Sequence, residues 1–208
     1  MNVEAPIAEA PKAGRKMTQV IEGARAVFMR DGFEGASVDA IAREAGVSKA
    51  TLYSYFADKK LLFLEVGRLE CEVQSREAFG EIDMDGPVRE VLGRMGREMA
   101  GFITSPFGQN IFRICVAEAD RFPELGRHFY QTGPLVVRAR VAAFLDAACA
   151  RGELRVEDTD LAAEQFFELT KVDIFPRMVF GMQPTCSQAD IERTVQGAVE
   201  TFLARYGA

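Results

Sequence analysis

Along the chain, apolar positions return every three or four residues and never alternate in twos for long, which predicts helices and no sheet. Val20, Ile21, Ala24, Val27 and Phe28 share one face of a helix expected over 16–30, which Asp31-Gly32 stops. Ser37 is a fitting N-cap for a short second helix, with Val38, Ile41, Ala42 and Ala45 on one side and Asp39, Arg43 and Glu44 on the other. Gly46 ends it by allowing a left-handed backbone. Ser48 caps a third short helix, 49–56, in which Leu52 and Phe56 share a face. Two short helices joined by a tight glycine turn, behind a longer one, form a helix-turn-helix.

A run beginning Leu61-Leu62 has no breaker until Gly80 and predicts one long connecting helix. Beyond it, Asp85-Gly86-Pro87, Ser105-Pro106, Phe122-Pro123, Gly133-Pro134, Arg151-Gly152 and Gly181 to Pro184 divide the chain. Helices are expected at 87–104, 107–119, 123–151 with a kink at Pro134, 159–180 and 187–206. Ser187 and Asp190 offer an acidic capping box for the last. The expected fold is all-α with about nine helices. A three-helix helix-turn-helix domain over 16–62 follows a disordered tail at 1–15 and precedes a six-helix bundle over 63–208.

The 208 residues are 48% hydrophobic with a net charge of −6, enough apolar content for a buried core. The average hides an asymmetry. Residues 12–60 carry nine basic and six acidic side chains and hold five of the six lysines, whereas 61–208 carry 16 basic and 23 acidic ones. A polyanion-binding surface is therefore expected in the first segment. Cys71, Cys115, Cys149 and Cys186 are too scattered for a zinc site or a disulfide framework, so no metal or other cofactor is expected and a reducing cytoplasm fits. No signal peptide or membrane span is read. The one histidine, His128, beside a Phe-Tyr pair, reads as structural, and no phosphate loop, nucleophile elbow or metalloprotease motif occurs. Enzymatic activity is not expected.

The segment Ser37-Val38-Asp39-Ala40-Ile41-Ala42-Arg43-Glu44-Ala45-Gly46-Val47-Ser48-Lys49-Ala50-Thr51-Leu52-Tyr53-Ser54-Tyr55-Phe56-Ala57-Asp58-Lys59-Lys60-Leu61-Leu62 resembles the N-terminal DNA-binding domain of the TetR family of bacterial regulators. The likeness runs over 17–66 and includes Gly32-Phe33 after the first helix. Ala117-Glu118 to Phe122-Pro123-Glu124-Leu125, with Gly152-Glu153-Leu154-Arg155, is similar to the AefR-like branch of that family. A helix entering a major groove about 12 Å wide needs an apolar side to hold it to its own domain and small or polar residues to reach base edges. Leu52 and Phe56 answer the first need; Lys49, Ala50, Thr51 and Ser54 answer the second. Tyr53, Tyr55 and Lys59 suit phosphate oxygens, and Ser37 and Ser48 head helix N-termini that can face phosphates. Lys12, Arg15 and Lys16 form an arm that either reaches DNA or merely solubilises the tail.

A single reading helix usually needs a second copy to bind two half-sites about 34 to 36 Å apart, so a homodimer on a palindromic double-stranded operator is expected. The resemblance implies pairing through the last two helices. Their repeating apolar residues, Phe166, Leu169, Ile174, Met178, Ile191, Val195, Val199 and Phe202, are the expected interface. Ten of the sixteen phenylalanines lie between Phe102 and Phe180. They either fill the core or line the cavity of roughly a few hundred Å³ in which this family senses small hydrophobic effectors. Met99, Phe102, Ile103, Phe112, Cys115, Phe144 and Phe166 are the candidate lining, and Arg113, Glu118, Asp173 and Arg177 the candidate polar contacts. The reading is a sequence-specific DNA-binding regulator, a homodimeric repressor released by a small hydrophobic ligand. The alternative is a small-molecule-binding helical protein whose helix-turn-helix contacts protein rather than DNA.

Overall fold

The computed structural model describes residues 14–80, 83–120 and 123–208, except for the side chains at 71, 74–80, 118, 124, 125 and 128. The expected tail, apart from residues 14 and 15, and the side chains of Cys71, Glu118 and His128 thus lie outside the described residues. Eleven helices are found among them: α1 (Arg15–Gly35), α2 (Val38–Glu44), α3 (Lys49–Tyr55), α4 (Lys59–Gly80), α5 (Val88–Thr104), α6 (Pro106–Glu118), α7 (Pro123–Thr132), α8 (Pro134–Ala150), α9 (Thr159–Leu169), α10 (Ile174–Val179) and α11 (Gln188–Tyr206). The extra helices come from two prolines that cannot donate a backbone hydrogen bond. Pro134 opens α8 and parts 123–151 into two helices. Pro176 would leave Val172 O without its helical donor, and the Ile174 N–H supplies one instead, at 2.8 Å. The chain expected to be one helix over 159–180 breaks there. Asp173 takes a left-handed conformation (φ 69°) and its carboxylate pairs with Arg177 and Arg193 at 2.6 and 2.5 Å.

Two compact units divide between Phe63 and Leu64, within α4. In the first, Val20, Ala24, Val27, Phe28, Ile41, Leu52, Phe56, Leu62 and Phe63 form the buried interior. Gly32 (φ 70°) breaks α1 near its end, and Phe28, Phe33 and Phe63 pack ring against ring at 4.9 to 6.2 Å. A Cβ at Gly23 would lie 2.6 Å from the Ala45 backbone nitrogen, so α1 crosses the end of α2 where only glycine fits.

In the second unit, α5, α8, α9 and α11 enclose the main core, from Leu92, Met95 and Met99 through Phe144, Leu145 and Phe166 to Val195, Val199 and Phe202. Phe166 and Phe202 meet edge to face at 5.4 Å. The capping box on α11 is present in full, with the Asp190 N–H donating to Ser187 Oγ and the Ser187 N–H to Asp190 Oδ2. The Gly-Glu-Leu-Arg turn after α8 has a structural role: Gly152 supplies positive φ and Leu154 is buried. Arg155 N–H donates to Tyr206 O at 2.8 Å, tying down the end of α11.

Candidate nucleic-acid interface and effector region

The turn between α2 and α3 is set by its hydrogen bonds. Val47 N–H donates to Ala42 O at 3.0 Å and Gly46 N–H to Arg43 O at 3.2 Å, a Schellman closure that needs the left-handed Gly46 (φ 63°). The chain then re-enters a helix at once, because Ser48 Oγ accepts the Thr51 N–H at 3.1 Å. Ser37 caps α2 in the same way through the Ala40 N–H. Leu52 is fully buried and Phe56 nearly so, which pins α3 to the unit along one side. Lys49, Ala50, Tyr53, Ser54 and Tyr55 are exposed along the other, and Thr51 is partly so.

Within this surface several side chains have intramolecular partners. The Ser48 and Thr51 hydroxyls share a hydrogen bond of 2.9 Å, and the Ser54 hydroxyl donates back to Thr51 O at 2.7 Å. Tyr53 and Tyr55 stand 49% and 41% exposed, large rings that the unit does not cover. Lys49 Nζ lies against Asp39 of α2, whose hydrogen bond and charge raise the lysine pKa above its ordinary value.

Lys59 is placed differently from the expectation of a phosphate contact. Its ammonium donates to Phe33 O at 2.8 Å and Ala36 O at 3.0 Å and sits 4.4 Å above the Phe33 ring. Beyond Gly32 the last carbonyls of α1 lack helical donors, and a cation at the start of α4 satisfies them. Sequence reasoning missed this clip, although Phe33 and Lys59 both stood in the motif.

In the second unit, Met99, Phe144 and Phe166 come together in the core cluster. Phe112 instead meets Phe175 edge to face at 5.0 Å, and Phe102, Ile103 and Cys115 are not among the residues of that cluster. Burial pushes the Cys115 thiol up to about 11. Of the expected polar contacts, Arg113 donates to Met178 O at 2.7 Å, and Asp173 and Arg177 pair with each other. A polar group that sequence reasoning overlooked is Gln109, 5% exposed. Its amide nitrogen donates to Ile103 O at 2.6 Å, and its Oε1 has no hydrogen-bond partner among the described residues.

The residues expected to pair two copies are largely committed within one chain. Phe166, Ile174, Met178, Ile191, Val195, Val199 and Phe202 are buried, and Leu169 packs against the same core. The repeat that suggested a second surface is the inner face of α9, α10 and α11. Exposed apolar side chains of that region are Leu161, Val172, Phe180 and Met182, the last two 80% and 76% exposed. Among the described residues no helix is long and apolar enough to cross a membrane, and no group of three or more acidic, cysteine or histidine side chains is placed to hold a metal.

A glycine-turned helix pair with an exposed, polar second helix, joined to a separate helical bundle, defines a helix-turn-helix regulator. Residues 20–66 match the family described as bacterial regulatory proteins, tetR family, and residues 90–208 the AefR-like transcriptional repressor C-terminal domain. The chain therefore belongs to the TetR family of transcriptional regulators, in its AefR-like branch. Its fold is similar to that of a TetR-family regulator from Mesorhizobium loti MAFF303099, at 29% identity and a TM-score of 0.81 over 96% of this chain and 100% of the other. It is also similar to the flavonoid-responsive regulator FrrA, at 35% identity and a TM-score of 0.70 over 94% and 98%. The HTH-type transcriptional regulator YezE of Bacillus subtilis (strain 168) is 26% identical over 147 residues, 69% of this chain and 75% of that one.

Proposed function

We propose that the protein is a homodimeric repressor that reads a palindromic operator through α3 and leaves it when a small, flat, hydroxyl-bearing apolar ligand binds within residues 64–208. The carrying observation is the α3 surface: Lys49, Ala50, Tyr53, Ser54 and Tyr55 are exposed while Leu52 and Phe56 anchor the helix. Such an arrangement suits a major groove, with Lys49 and small side chains toward base edges and tyrosine hydroxyls toward phosphates.

Dimerisation follows from the need for two reading helices. Phe180 and Met182, exposed just after α10, are the side chains a second copy would cover. The effector reading is supported by Gln109, whose buried Oε1 lacks a donor among the described residues that a ligand hydroxyl would supply. It is supported also by the phenylalanine-rich helices around that residue and by the 35% identity to a regulator described as flavonoid-responsive. Coupling between effector and operator is expected at about 1 to 3 kcal/mol, the usual range between two sites.

Selection of bound fragments from the source genome, followed by titration of the enriched fragment with and without a panel of flat polyphenols, tests the reading. A palindromic sequence bound by two chains and released by a panel member is the expected result. Absence of any salt-sensitive DNA binding would refute it and favour protein contact by the helix-turn-helix.

A further inference from the structure

The reading helix α3 contains one cation, and an anion from α2 already holds it. Lys49 Nζ lies 2.5 Å from Asp39 Oδ1, with the side chains 54% and 70% exposed. Asp39 stands in the first turn of α2 and Lys49 opens α3, so the Gly46 turn that builds the motif also brings this pair together. An ion pair this exposed contributes little to folding. Its consequence lies in what Lys49 can bind.

A backbone phosphate could take a remaining N–H of the ammonium, but it would set a second anion beside the Asp39 carboxylate, and that like-charge repulsion weakens the contact. A guanine edge is different. Its O6 and N7 are neutral acceptors, and an ammonium with three N–H donors can bond to them without releasing Asp39. We infer that Asp39 is a specificity-determining residue: by holding Lys49 it disfavours contacts to phosphate alone and reserves the ammonium for a base edge. The inference rests on the reading of α3 as the DNA-reading helix.

The test uses the full chain with Asp39→Asn, Lys49→Met, the double variant and Asp39→Glu. Each is titrated by fluorescence anisotropy with the genome-selected fragment and with a shuffled duplex of equal length, over a series of salt concentrations. For Asp39→Asn, binding to the shuffled duplex should tighten about three- to tenfold at low salt. Its slope of log affinity against log salt should steepen by about 0.9, the signature of one added phosphate contact. Affinity for the selected fragment should change less, so discrimination falls. Asp39→Glu should retain wild-type discrimination, and in the Lys49→Met background Asp39→Asn should leave discrimination unchanged, because the carboxylate acts through the lysine. Unaltered discrimination in Asp39→Asn, or an equal loss with and without Lys49, would overturn the inference while leaving α3 as the reader. Equal binding of both duplexes by the wild type would instead overturn the reading of α3 itself.

Discussion

Replacing Lys59 with methionine keeps the length and apolar stem of the side chain and removes its charge. The ammonium makes two hydrogen bonds, to Phe33 O and Ala36 O, and lies over the Phe33 ring. At about 1 kcal/mol for each bond in a partly buried site and about 0.5 to 1 for the cation–ring contact, the loss comes to about 2.5 to 3 kcal/mol. With a urea dependence of about 1 to 3 kcal/mol per molar, the unfolding midpoint of the DNA-reading unit should fall by about 1 M or more. Far-UV circular dichroism against urea measures this, and amide exchange at α1 and α3 locates it. DNA affinity should weaken through the loss of folded reading unit, with the salt slope unchanged where the protein remains folded. An unaltered midpoint with a slope reduced by about one unit would refute the clip and make Lys59 a phosphate ligand.

Gly23→Ala should cost roughly 1 to 3 kcal/mol or more, because the new methyl would meet the Ala45 backbone at 2.6 Å. Gly96→Ala, whose methyl would meet the Val195 side chain at 2.8 Å, should cost less, and thermal melts of the two variants check the order. Because burial raises the Cys115 thiol to about 11, the native state holds that proton more tightly than the unfolded chain does. Its contribution to stability is therefore complete below the ordinary thiol range and lost as pH rises toward 11. Urea titrations across this alkaline window should show a decline that Cys115→Ala reduces; an identical decline in both proteins would contradict it.

The helix-turn-helix was legible because its determinants are local. Ser37 and Ser48 as caps, Gly46 in a left-handed turn, and Leu52 and Phe56 one helical turn apart act over a few residues, and each takes the role its chemistry implies. The Ser187–Asp190 capping box is of the same kind. The break before α10 has a local cause too, because Pro176 has no N–H for Val172 O, but the apolar periodicity over 159–180 continues across it and hides the break.

What tertiary structure alone decided is how side chains are shared among competing partners. Apolar periodicity shows that Ile191, Val195, Val199 and Phe202 occupy one face of a helix, but it is the same whether that face meets its own core or a second chain; the fold turns it inward. Charge has the same ambiguity. Lys59 and Lys49 look alike in the sequence as cations near a reading helix, yet one is directed onto the carbonyls at the end of α1 and the other onto a carboxylate at its surface. The sequence determined which groups could bind, through short-range backbone and capping chemistry. Their actual partners, some brought from over twenty residues away, were set by how the helices pack.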